Sequence, residues 1–143
     1  LFGHSYGGLF TLHTLFTRPG SFQRYFAASP SIWWNQRYIL TEKAAFLDRK
    51  DSAGTSGMVR FTVGSLEQSP SPLQQANPRA KQVADRRQVD NSRELSAELR
   101  AAGLDAEFVL FENENHGSAR VPAVNQAIRF AFAAPVPKPD PAR

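Results

Sequence analysis

Leu1-Phe2-Gly3-His4-Ser5-Tyr6-Gly7-Gly8-Leu9-Phe10 opens the chain. It holds a GxSxG pattern in which glycine sits two places either side of Ser5. Small residues at those places let the backbone close a sharp strand-to-helix turn that pushes a serine hydroxyl outward. Such a turn needs a strand to deliver it, and Leu1 and Phe2 are too few to make one of the usual length of about five or six residues. The only Met is Met58. The chain therefore reads as the C-terminal part of a larger protein.

Working outward, Gly7 to Phe16 carries apolar residues at Leu9, Phe10, Leu12, Leu15 and Phe16 and predicts a buried helix that Arg18-Pro19-Gly20 stops. Tyr25-Phe26-Ala27-Ala28 predicts a short buried strand ended by Ser29-Pro30, with Trp33 and Trp34 in or just beyond its exit loop. A helix is expected over 38–50 and a polar Gly/Ser-rich connection over 51–57. Val59-Arg60-Phe61-Thr62-Val63, bounded by Gly57 and Gly64, is β-branched and aromatic and predicts the next strand. Ser69-Pro70-Ser71-Pro72 forbids regular structure.

Helical spacing returns over 78–102, where Gly103 takes the left-handed stop and Asn91 with Glu94 forms a candidate capping pair for a restart. A third strand is expected over 106–111, a polar loop over 113–117 and an apolar helix over 121–133. The Pro-rich tail 135–143 is expected to be extended and mobile. Residues 1–134 then form part of one domain. Alternating strands and helices predict an α/β architecture with a parallel sheet, whose functional loops lie at the C-terminal ends of the strands.

The composition agrees with a folded domain. The chain has 143 residues and a hydrophobic fraction of 41%, enough for one sizeable core. No apolar run approaches the ~20 residues that span a bilayer, so no membrane association is expected, and the compartment stays open. Zero Cys excludes disulfides, cysteine nucleophiles and thiolate metal sites. A net charge of +4 is spread along the chain, denser at Arg79, Lys81, Arg86, Arg87 and Arg93 but interrupted by Asp85 and Asp90. That mixture reads as the solvated face of a helix rather than a nucleic-acid surface, while a mildly positive field suits an anionic small substrate. No cofactor or metal is called for, and the oligomeric state is open.

A serine hydroxyl needs a base in reach and an acid to orient that base. In the α/β-hydrolase arrangement the chain order is Ser, then Asp or Glu, then His. Ser5 comes first, Glu67 follows the strand ending at Val63, and His116 lies in the loop after the last strand. His4 adjoins Ser5 in sequence and is expected to point away from it, and His13 lies along the helix. Asp85 and Asp90 are the fallback acids. The backbone N–H of Tyr6 is the first oxyanion donor, and the second is expected from a loop after an earlier strand outside this chain. Weak activity of the chain alone follows from that expectation. Trp33 and Trp34 are candidates to line an acyl or aromatic pocket.

GHSYGGLF (3–10), ASPSIWWN (28–35), FTVGSLEQ (61–68) and FENENHGS (111–118) closely resemble successive motifs of the bacterial esterases related to esterase D, especially the siderophore esterases that open trilactone rings. The resemblance runs from Leu1 to about Phe132. It implies an α/β-hydrolase fold, with Ser5 as nucleophile, His116 as base and Glu67 in the place of the acid. Among substrates, a trilactone siderophore, a glutathione thioester and a feruloyl ester all stay open. The rival reading is a truncated, catalytically inactive half-domain, either a degenerate module or one that binds a partner through an uncovered sheet edge.

Overall fold

The structure is a computed structural model that describes residues 1–49, 57–70, 72 and 78–133. The expected connection, apart from Gly57, and the Pro-rich tail lie outside those residues.

Apolar runs at Arg24–Ala28 (β2), Met58–Gly64 (β3) and Asp105–Phe111 (β4) form strands, as their β-branched and aromatic content predicts. A fourth strand, β1, spans Phe2–His4. It forms although few residues precede the turn, because the motif's own Gly3 and His4 are extended and pair with Ala27 and Ala28. All strands are parallel, in the order β1-β2-β3-β4, with Phe2 opposite Phe26, Ala27 opposite Phe61 and Phe61 opposite Phe108.

Each strand moves one place across the sheet, so right-handed crossovers place all the connecting helices on one face. These are α1 (Tyr6–Thr17), α2 (Ile39–Asp48) and α4 (Gln88–Ala101), preceded by the short α3 (Ala80–Asp85). Strand side chains alternate between the faces. Tyr25, Ala27, Val59, Phe61 and Ala106 pack against Leu12, Leu15, Phe16, Phe46, Leu95 and Leu99 of the crossover helices. Phe26 and Ala28 point the other way, onto Ala123 and Phe130 of the last helix, α5 (Arg120–Phe132). Arg60 also stacks on the Phe130 ring, 4.7 Å from its centroid. In α5, Pro122 falls in the first turn, where no intrahelical N–H is lost.

The helical stretch over 78–102 divides earlier than the Asn91–Glu94 pair suggests. Arg87 takes a left-handed conformation (φ 48°) between α3 and α4 and pairs with Asp90 and Glu94. Asn91 is instead buried inside α4 and donates to the Arg86 carbonyl at 2.9 Å. Gly103 does close the helix, at φ 90°.

Candidate active site

Ser5 occupies the junction of β1 and α1 at φ 61°, ψ −119°. A non-glycine residue there carries strain on the order of 1–3 kcal/mol and persists only where its surroundings hold it. The exit of β2 does so. Ser5 N–H donates to the Ala28 carbonyl at 2.9 Å, and the Ser5 carbonyl accepts from the N–H groups of Leu9 at 3.0 Å and Ser31 at 3.1 Å. Gly3 is required for the turn, because a Cβ on it would meet the Gly7 carbonyl oxygen at 2.0 Å. Gly7 contributes through that carbonyl, since its own Cβ direction is open.

Glu67 lies in a short 3-10 turn, Ser65–Glu67, directly after β3, and is 5% exposed. A buried carboxylate is tolerated where donors satisfy it. Its Oε1 accepts from Ser29 Oγ at 2.6 Å and from the Gly64 N–H at 2.8 Å. Its Oε2 lies 2.6 Å from His116 Nδ1. With Glu67 accepting, Nδ1 carries the imidazole proton. Nε2 is left to accept from Ser5 Oγ, 3.0 Å away. Ser31 Oγ stands 3.4 Å from Ser5 Oγ.

The loop carrying His116 is tied to the β3 exit. Leu66 N–H donates to the Glu114 carbonyl at 3.0 Å, and Asn113 N–H donates to Ser65 Oγ at 2.9 Å. The loop approaches so closely that a Cβ on Gly64 would meet the Glu114 carbonyl oxygen at 2.2 Å. Asn115 Oδ1 then accepts from the N–H groups of Gly117 at 2.8 Å and Ser118 at 3.1 Å, tightening the turn into α5.

Three strand exits thus bring Ser5, Glu67 and His116 into one hydrogen-bonded chain. Asp90, a fallback acid, is engaged elsewhere, with Gln68, Arg87 and Arg93. His13 pairs with Glu42 at 2.8 Å. His4 makes no side-chain hydrogen bond with Ser5 and lies beside His116. Their ring centroids are 4.6 Å apart, and His4 Nε2 is 3.1 Å from the His116 carbonyl oxygen. The strand's alternation turns the His4 side chain across the β1 exit, on the side the last loop fills. Burial first, and then the neighbouring His116, lower the His4 pKa below its ordinary value.

Tyr6 begins α1, so its N–H has no carbonyl within the helix to bond. A cleft of about 390 Å³ opens over Ser5, with Trp33, Leu66, Arg79, Val83 and Arg86 in its walls. Arg86 stacks over the Trp33 ring, 4.2 Å from its centroid. Trp34 does not line this cleft. It borders a second depression of about 230 Å³ with Phe10 and Tyr38. The basic stretch reads in sequence only as a solvated helix face, yet Arg79 and Arg86 turn into the cleft. The parts of Ser29, Ser31 and His4 are likewise hidden in the sequence, where the Ser-Pro-Ser after β2 is the one visible sign of a built loop.

Residues 1–116 match the Esterase family model. The chain belongs to this esterase family. The esterase chain is 44% identical over 138 residues to the siderophore enterobactin esterase of Emericella nidulans, covering 91% of itself and 46% of that protein. It is 37% identical over 135 residues to the ferri-bacillibactin esterase BesA of Bacillus subtilis, covering 92% of itself and 42% of the relative. Among solved structures, the siderophore hydrolase EstA from Aspergillus nidulans superposes with a TM-score of 0.83 at 43% identity, over 94% of this chain and 48% of that one. The parallel sheet with its flanking helices is therefore an α/β architecture shared with siderophore hydrolases. The esterase chain spans about half the length of these relatives, which come from fungi as well as bacteria. No helix among the described residues is long and apolar enough to cross a membrane.

Proposed function

We propose that this esterase-family chain hydrolyses carboxylic esters through an acyl-enzyme, with Ser5 as nucleophile, His116 as base and then acid, and Glu67 as the carboxylate that holds His116. The observation that carries this reading is the continuous contact from Ser5 Oγ to His116 Nε2 and from His116 Nδ1 to Glu67. Ser5 Oγ loses its proton to Nε2 and bonds to the ester carbonyl carbon. The carbonyl electron pair moves onto oxygen, where the Tyr6 N–H donates to it. Collapse breaks the C–O bond to the alcohol, which leaves with the proton from Nε2. A water, deprotonated by Nε2, then attacks the acyl carbon, and the acid departs as Ser5 regains its proton.

The substrates we assign are siderophore esters, because the relatives are named for that class. Cleft arginines Arg79 and Arg86 favour substrates that carry negative charge. Trp33 offers an aromatic wall to the acyl or alcohol group.

A fluorophosphonate probe and an ester-hydrolysis assay on the full-length gene product test the mechanism. The probe adds its mass to the peptide holding Ser5, and Ser5→Ala abolishes both labelling and about 10⁴-fold or more of the rate. Label on another residue, or full activity after Ser5→Ala, overturns it. A folded product with neither label nor hydrolysis favours the inactive, partner-binding reading.

A further inference from the structure

The mechanism above makes no use of His4, a half-buried titratable side chain beside the nucleophile in sequence and against the base in space. Resting on the esterase reading above, we propose that His4 is a positioning residue that holds the backbone and ring of His116 in line with Ser5.

A carbonyl oxygen can only accept, so the 3.1 Å contact from His4 Nε2 to the His116 carbonyl requires the proton on Nε2. His4 thus carries a proton on Nε2. The bond falls on the backbone of the residue whose side chain does the chemistry. Its ring meanwhile stacks against the His116 ring, centroids 4.6 Å apart and planes at 41°. The loop of His116 is tied to the β3 exit through Asn113 and Glu114. His4 ties it from the opposite flank, at the end of the strand that leads directly into Ser5. The nucleophile and its base are thus referenced to the same strand end, so the 3.0 Å gap between Ser5 Oγ and His116 Nε2 does not depend on β3 alone.

Charge also matters. The groups facing His4 are His116, Glu67 and Arg120, and burial with the approach of His116 keeps its pKa low. A neutral His4 adds no positive charge next to His116 as that ring takes up the Ser5 proton. A cationic one would oppose it.

The test compares His4→Phe, which keeps a stacked ring without the donor, with His4→Gln, which restores a donor near the Nε2 position. Small displacements of a catalytic group cost up to ~100-fold in rate. His4→Phe is expected to lower kcat about tenfold or more with KM within twofold, and His4→Gln to recover most of that loss. An unchanged kcat in His4→Phe, or equal losses in both variants, overturns the proposal. In the unaltered protein, ¹⁵N shifts at neutral pH are expected to report a neutral Nε2–H ring for His4. A ring without a proton on Nε2 overturns the proposal even if a variant fails to fold. Failure of the esterase mechanism reads out separately, as activity that survives Ser5→Ala.

Discussion

At Glu67 a single carboxylate has three partners and almost no water, and its burial decides how the site is held. Ser29 Oγ and the Gly64 N–H occupy Oε1, leaving Oε2 for His116. An amide in place of the carboxylate would turn an N–H₂ toward one of these donors. Glu67→Gln is therefore expected to misorient His116 and lower kcat about 10³-fold or more, by analogy with the loss when a triad carboxylate becomes an amide. The measurement is kcat on an ester substrate beside the thermal midpoint of the folded variant, and a kcat within tenfold of the unaltered protein would refute the role of Glu67 in orienting the base. The candidacy of Glu67 as the acid is legible from its place after a strand, whereas its bond to Ser29 is not. Ser29 sits 38 residues away in sequence, and nothing local in Ser-Pro-Ser says which carboxylate its hydroxyl reaches.

Among the elements, the helices α1 and α5 and the strands β2 to β4 are readable within a residue or two, because their apolar spacing and their Gly and Pro boundaries are local signals. The break between α3 and α4 is not. It depends on Arg87 holding a left-handed backbone through its pairs with Asp90 and Glu94, and arginine carries no intrinsic signal for that conformation. Helix α4 is fastened to the sheet by Leu95 and Leu99, exposed by 1% and 0%. Leu99→Ala leaves a cavity between α4 and the strands, and is expected to lower stability by about 2–5 kcal/mol, read as a shift of the denaturation midpoint. A loss below about 1 kcal/mol would mean that α4 is not anchored there.

For the molecule as a whole, the sheet order sets where the candidate site lies. Sequential parallel strands put the exits of β1, β3 and β4 at one edge, with the β2 exit between them, and the cleft forms over those exits. The core on one face and the Phe26–Phe130 cluster on the other share the same strands. We propose on that ground that residues 1–134 act as one cooperative unit. Thermal unfolding is expected to be a single transition with equal calorimetric and van't Hoff enthalpies, measured by calorimetry and far-UV circular dichroism. Two separate transitions within this region would overturn it.

By itself, the sequence determined the alternation of strands and helices, the turn that presents Ser5, and the order in which Ser5, Glu67 and His116 follow their strands. Those are matters of local spacing, glycine placement and chain order. Only the tertiary structure decided that Glu67 rather than Asp90 reaches His116, that His4 lies on His116, and that Arg79 and Arg86 face the cleft. Each of those depends on contacts between residues far apart in the chain, and such contacts exist only once strand order and register have been set.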